Sequence, residues 1–83
     1  MNDQALNMVN LMEHVAKALV EKPGEVLVEP FDEDGEIVLE LTVAEDDLGR
    51  VIGRQGRTAR ALRNLLRAAS MKTDKRYALE ILE

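Results

Sequence analysis

The residues whose types and spacing suit chemistry lie together at 49–60, "GRVIGRQGRTAR". Gly53 and Gly56 bracket two polar residues, Arg54 and Gln55, and Arg57 and Arg60 follow directly. Glycine lets another backbone approach closely and tolerates positive φ. A helix opening behind such a loop offers N–H groups that lack internal partners and sit at the positive end of its macrodipole. Arginine adds paired donors suited to phosphate oxygens. The chemistry in reach is holding a phosphate, with no bond made or broken. A plainer reading fits the same letters: glycines that let two helices turn, beside arginines on a solvated face.

Nucleotide-binding motifs do not fit. A P-loop needs G-K-[ST] after a strand, whereas "GRT" stands at 56–58 behind a helical pattern. The dinucleotide fingerprint needs glycines two apart, which "GRVIGRQG" lacks. Catalytic sets are equally absent. The chain has one histidine, His14, and no cysteine, so neither a Ser/His/Asp nor a Cys/His set can be assembled. Ser70 has no base nearby in sequence, and a lone histidine has no metal-ligand companions. Asp46 and Asp47 read as a helix N-cap, the acidic run 32–36 as a solvated turn, and Met8 and Met12 as core filler. The expectation is a non-enzyme with no cofactor and no metal.

Charge is distributed unevenly. The formal net charge is −5, yet residues 48–76 carry nine basic side chains against Asp74 alone, a net +8. The remainder holds Lys17 and Lys22 against fifteen acids, a net −13. Such segregation points to an anionic partner for the basic segment. The acidic remainder opposes poorly oriented approach to polyanions. At 83 residues and 46% hydrophobic content, the sequence fits one domain, 1–83, with a small core. No segment approaches 18 consecutive apolar residues, so a soluble, cytoplasmic protein with no membrane partner is expected.

Hydrophobic periodicity supplies the elements that must position the loop. At 3–21, Ala5, Val9, Met12, Ala16 and Leu19 recur at helical spacing, widened by Met8, Val15 and Val20. Asn2 or Asp3 can cap this helix, and "KPG" ends it. The period then becomes two. "EVLVEPF" and "EIVLELTV" flank Asp34-Gly35, which predicts a hairpin over 25–43, with Pro30 at an edge or strand end. A short helix over 47–52, the "GRQG" loop and a longer helix over 56–70 follow. Ala59, Leu62, Leu65, Leu66 and Ala69 fall on one side of the longer helix, and Arg57, Arg60, Arg63 and Arg67 on the other. "MKTDKR" is a polar connector, and "YALEIL" reads as a last strand at 77–82.

These residues resemble a known family. "GRVIGRQGRTARALR" is similar to the signature of a KH domain, and the order α-β-β-α-α-β resembles its type II, prokaryotic arrangement across the whole chain. Small single-domain proteins of the KhpA family look alike in length, N-terminal helix and motif. The resemblance implies an α+β type II KH fold, a three-stranded sheet with helices packed on one face. It also implies binding of single-stranded RNA, with the loop Gly53, Arg54, Gln55 and Gly56 clamping the backbone of about four nucleotides. By position, Gly49, Arg50 and Ile52 form one wall of the groove, Ile52 facing a base while Val51 packs inward. Arg57, Thr58 and Arg60 supply the start of the next helix. Lys72 and Lys75 reach phosphate from the variable loop, and the strand from Tyr77 forms the far wall.

The resemblance further implies post-transcriptional regulation or an RNA-chaperone role, and a KhpB-like RNA-binding partner. A homodimer is the other arrangement that would link two weak sites. The poverty in aromatic residues, Phe31 and Tyr77 alone, disfavours base-stacking platforms of the RRM and OB types. Two rival readings stay open. One is a protein-interaction module in which the loop and "VI" make a dimer contact. The other is a helix-turn-helix DNA binder using 57–70, although that helix offers base edges little beyond arginine and Asn64.

Overall fold

The computed structural model describes residues 3–83. Six elements follow in the order helix α1 (Asp3–Leu19), strands β1 (Leu27–Glu33) and β2 (Glu36–Thr42), helices α2 (Leu48–Ile52) and α3 (Arg57–Ser70), and strand β3 (Arg76–Ile81). Single 3-10 turns stand at Pro23–Glu25, Glu45–Asp47 and Arg54–Gly56. The candidate cap Asn2 lies outside the described residues.

Helix α1 buries Ala5, Met8, Val9, Met12 and Ala16 along one stripe. It ends at Leu19, two residues short of the predicted boundary. The cause is distant in sequence. The backbone N–H groups of Glu21 and Lys22 donate to Asp47 Oδ1 and Oδ2, each at 3.1 Å, so they are not available to extend the helix. Leu19 shares the angle of the stripe but remains 37% exposed at the last helical position.

The hairpin forms as its turn residues dictate. Asp34 (φ 53°) and Gly35 (φ 85°) both take the left-handed region, the signature of a type I′ turn that matches the twist of the strands. It fixes an antiparallel register from Leu27 opposite Thr42 to Glu33 opposite Glu36. The α2–α3 crossover then returns the chain so that β3 lies parallel to β2, giving the sheet order β1-β2-β3. Pro30 stands on edge strand β1, where its missing N–H costs the sheet little.

All three helices cover one face of this α+β sheet. Its inward side chains, Val28, Ile37, Leu39, Leu41, Leu79 and Ile81, join Met12, Val51, Leu62 and Leu66 in one core. Leu39 and Val51 are fully enclosed, and burying such a side chain contributes roughly 1.5–3 kcal/mol. The open face carries Glu29, Glu40 and Glu80 in one cross-strand row.

Helix α3 packs through a narrower stripe than its pattern predicts. Ala59, Leu62, Leu66 and Ser70 are buried, whereas Leu65 is 39% exposed. At 100° per residue Leu65 lies about 105° from the centre of that stripe, and α3 rests mainly on the single edge strand β3. The hydroxyl of Ser70 substitutes for an apolar contact by donating to Arg67 O at 3.1 Å. Strand β3 begins at Arg76, one residue before its predicted start.

Candidate nucleic-acid interface

The turn between α2 and α3 is built almost entirely from left-handed backbone. Gly53 (φ 78°), Gln55 (φ 58°) and Gly56 (φ 73°) all take positive φ. Two backbone bonds hold it: Gly53 N–H to Gly49 O at 2.8 Å, and Gly56 N–H to Gly53 O at 3.0 Å. Gly53 also packs directly on Thr58, leaving no space for a side chain. Gln55 is the surprise, since a non-glycine residue there costs about 1–2 kcal/mol. Nothing in its letter announced this. Its side chain and that of Arg54 project into solvent.

Helix α3 therefore starts at Gly56 with no side-chain cap and no acid in its first turn. Its first N–H groups lack partners from a capping side chain, and Arg57 adds positive charge where the macrodipole is already positive. Left alone, this arrangement is unfavourable. An anion reverses the sign. Arg54, Arg57 and Arg60 are exposed and make no ion pair among the described residues.

Beside the turn runs an open groove of about 490 Å³, lined by Ile52, Gly56, Ala59, Arg60, Arg63, Ile81 and Glu83. Ile52 is half-buried at its edge, and Val51 is turned fully inward. Strand β3 forms the far wall. Leu82 N–H donates to Leu41 O of β2 at 3.0 Å. Alternation along the strand then directs the N–H and C=O groups of Tyr77, Leu79 and Ile81 to the free edge, toward the groove. Arg63 Nε donates to one of these, Leu79 O, at 3.3 Å. Arg63 is thus bound to a strand edge, a contact that its place on the basic side of α3 does not reveal.

The remaining predicted positions are spread around this centre. Gly49 is exposed on α2 with nothing within 4 Å of a would-be Cβ. Arg50 faces away from the groove floor, held by an ion pair with Glu21 and by Asp47 Oδ1 at 3.4 Å from its Nε. Thr58 is half-buried behind Gly53. Lys72 is exposed, and Lys75 Nζ lies 3.9 Å from Asp32. Asp47 occupies the N-cap position of α2 but makes no capping bond; only 2% exposed, it closes the end of α1 instead. Ala59 and Glu83 line the groove without having been expected there, and Ile81 enters through the strand expected as the far wall. The alternation of "YALEIL" already put Ile81 on the helix-facing side.

The family model described as "KhpA/KhpB, KH domain" matches residues 9–81. A Treponema pallidum protein named RNA-binding protein KhpA is 49% identical over 73 residues, covering 88% of this chain and 91% of that one. Its namesake from Clostridium acetobutylicum is 47% identical over 75 residues, covering 90% of this chain and all of the other. Among solved structures, Aquifex aeolicus Era bound to GDP and aluminium fluoride superimposes with a TM-score of 0.61 at 20% identity. That likeness, in fold alone, covers 92% of this chain and 29% of the Era chain.

Proposed function

The chain belongs to the KhpA/KhpB KH-domain family, and from that premise we propose that it is a single-stranded RNA-binding protein, with residues 1–83 acting as one KH domain. The observation that carries this reading is the uncapped, acid-free start of α3 behind a left-handed turn, flanked by Arg54, Arg57 and Arg60, which make no ion pair among the described residues. Backbone amides, helix dipole and guanidinium groups converge on one spot, and a phosphodiester supplies the missing negative charge. The relatives named RNA-binding proteins support the same ligand class.

The work divides among named residues. Gly53, Arg54, Gln55 and Gly56 clamp the sugar–phosphate backbone, with Arg57, Thr58 and Arg60 extending the contact along α3. Ile52 lines the near wall and meets a base, with Gly49 beside it on α2, and Arg50 reaches the RNA strand only on release from Glu21 and Asp47. Lys72 and Lys75 approach phosphate from the loop before β3. The free edge of β3 offers donors and acceptors that a splayed base can read and a stacked duplex cannot reach. No catalytic step is involved. Few phosphates are engaged, so one groove binds weakly. A homodimer, or a complex with a KhpB-like protein, would link two grooves and raise affinity. In the cytoplasm such a module would act as a post-transcriptional regulator or RNA chaperone.

Titration of short RNA oligonucleotides tests the clamp. Arg54→Asp with Gln55→Asp is expected to weaken binding roughly tenfold or more, because two carboxylates replace a charge-assisted contact. Arg60→Ala should lower the slope of log K against log salt by about 0.7, the value of one phosphate on a single strand. Unchanged binding in the double variant removes the clamp. Equal affinity for duplex DNA of matched length removes the single-strand reading.

A further inference from the structure

The groove does not stop at Arg63. Past that side chain it opens into a second, larger depression of about 630 Å³ between the last turns of α3, residues 71–75 and the start of β3. Arg63 lines both spaces and, anchored through Nε on Leu79 O, leaves its terminal nitrogens free to face either. Arg67 and Arg76 complete a cationic rim, and neither makes an ion pair among the described residues. Lys75 also borders the space, but it already lies 3.9 Å from Asp32. Glu36 and Asp74 are the acids of the lining, so positive charge prevails.

The wall of this depression holds an orphan. The hydroxyl of Tyr77, the only tyrosine of the chain, is shielded from solvent and has no hydrogen-bond partner among the described residues. Leaving a buried donor unmatched is costly. Carbonyls at the end of α3 already accept other donors, Ser70 O two of them. Ser70 Oγ and Met71 N–H take Arg67 O and Ala68 O, and Thr73 occupies Ser70 O with both its N–H and its hydroxyl. What suits an orphan phenol beside three guanidinium groups is an oxygen-rich anion with a polar, ring-sized body.

We infer that this depression is a second RNA subsite, which takes the phosphate and ribose of a nucleotide beyond those held at the loop. The inference rests on the RNA-binding reading above and extends its footprint. Arg67 lies about 15 Å along α3 from Arg57, so it serves a different phosphate from the one at the helix start. Arg63 joins the two sites into one trough, and a rotation of the Tyr77 ring out of its shielded position brings the phenol to a ribose or phosphate oxygen.

The test is an amide chemical-shift titration with oligouridylates of four and eight nucleotides. Wild type should bind the longer strand more tightly than extra registers alone explain. Arg67→Ala with Arg76→Ala should weaken the eight-nucleotide complex roughly tenfold and leave the four-nucleotide complex within about twofold. Tyr77→Phe, which keeps the β3 backbone that faces the groove, should weaken the longer complex about fivefold and the shorter one less, with a thermal melt at or above that of wild type because an unmatched buried donor is gone. If both variants keep the wild-type ratio between the two lengths, the subsite does not exist. If they weaken the short strand equally, these residues act on the clamp or the fold, and the inference falls. Saturation of the same amides by acidic peptide or inorganic phosphate as readily as by RNA also overturns it. A wild type that binds neither length, or a clamp variant that binds both normally, refutes the RNA reading itself. A failure confined to the length dependence refutes the subsite alone.

Discussion

Gly53 and Thr58 sit so close that a Cβ on Gly53 would come within 2.7 Å of Thr58 Cβ and 2.8 Å of its backbone nitrogen. The glycine is therefore required twice over, by its φ of 78° and by the helix start pressed against it. Relief by trimming Thr58 is only partial, because one of the obstructing atoms is main chain.

Gly53→Ala should destabilise the fold by about 1–3 kcal/mol, the range for a side chain forced into a sparsely populated conformation. Thr58→Ala should recover only part of that loss. Gly49→Ala supplies the contrast: Gly49 is helical and open, so alanine should stabilise by about 0.5–1 kcal/mol. Urea unfolding of the variants checks all of this. A Gly53→Ala protein as stable as wild type would show that the turn is not fixed as described.

Asp47→Asn should cost about 1–3 kcal/mol, although volume is kept. One amide oxygen cannot serve the N–H groups of Glu21 and Lys22 and also Arg50 Nε. In a domain of this size each kcal/mol lowers Tm by roughly 4–8 °C. Removing the exposed partner instead, by Glu21→Ala, should change stability by less than about 1 kcal/mol. Comparable melts for Asp47→Asn and Glu21→Ala would refute the assignment of Asp47 as the group that ends α1.

Tyr77 carries a pH signature. Burial, aided by the negative charge of Asp74, raises its pKa above 10.0. The neutral phenol is thus favoured in the folded state, so its contribution is intact below the unfolded pKa and is lost as pH rises through the folded value. Wild type should lose stability above pH 10.0 more steeply than Tyr77→Phe, with every lysine common to both proteins. Parallel alkaline melting curves would mean that the hydroxyl is not enclosed.

The elements were legible because the period of the apolar residues changes visibly, from helical at 3–19 to alternating at 37–43 and back. Asp34-Gly35 and the paired glycines of the loop announced their own geometry. Hidden features are those decided by contacts distant in sequence. Asp47 looked like a local cap because nothing at 45–48 reveals that the end of α1 passes beside it. Leu65 looked buried because a pattern gives an angle but not the width of the surface opposite. Gln55 shows no signal at all, since its left-handed backbone follows from the two glycines it stands between. The charge of Arg63 was readable, but its bond to Leu79 O needed the position of a strand edge.

Both free edges of the sheet are blunted, β1 by Pro30 amid Glu29, Asp32 and Glu33, and β3 by Arg63 laid on its carbonyl row. Unguarded edges invite strand-to-strand pairing between copies. Here that route is obstructed at each side. Growth of the sheet into ribbons or fibres by edge pairing is thereby discouraged, and side-chain surfaces are left as the route by which copies of this chain would associate.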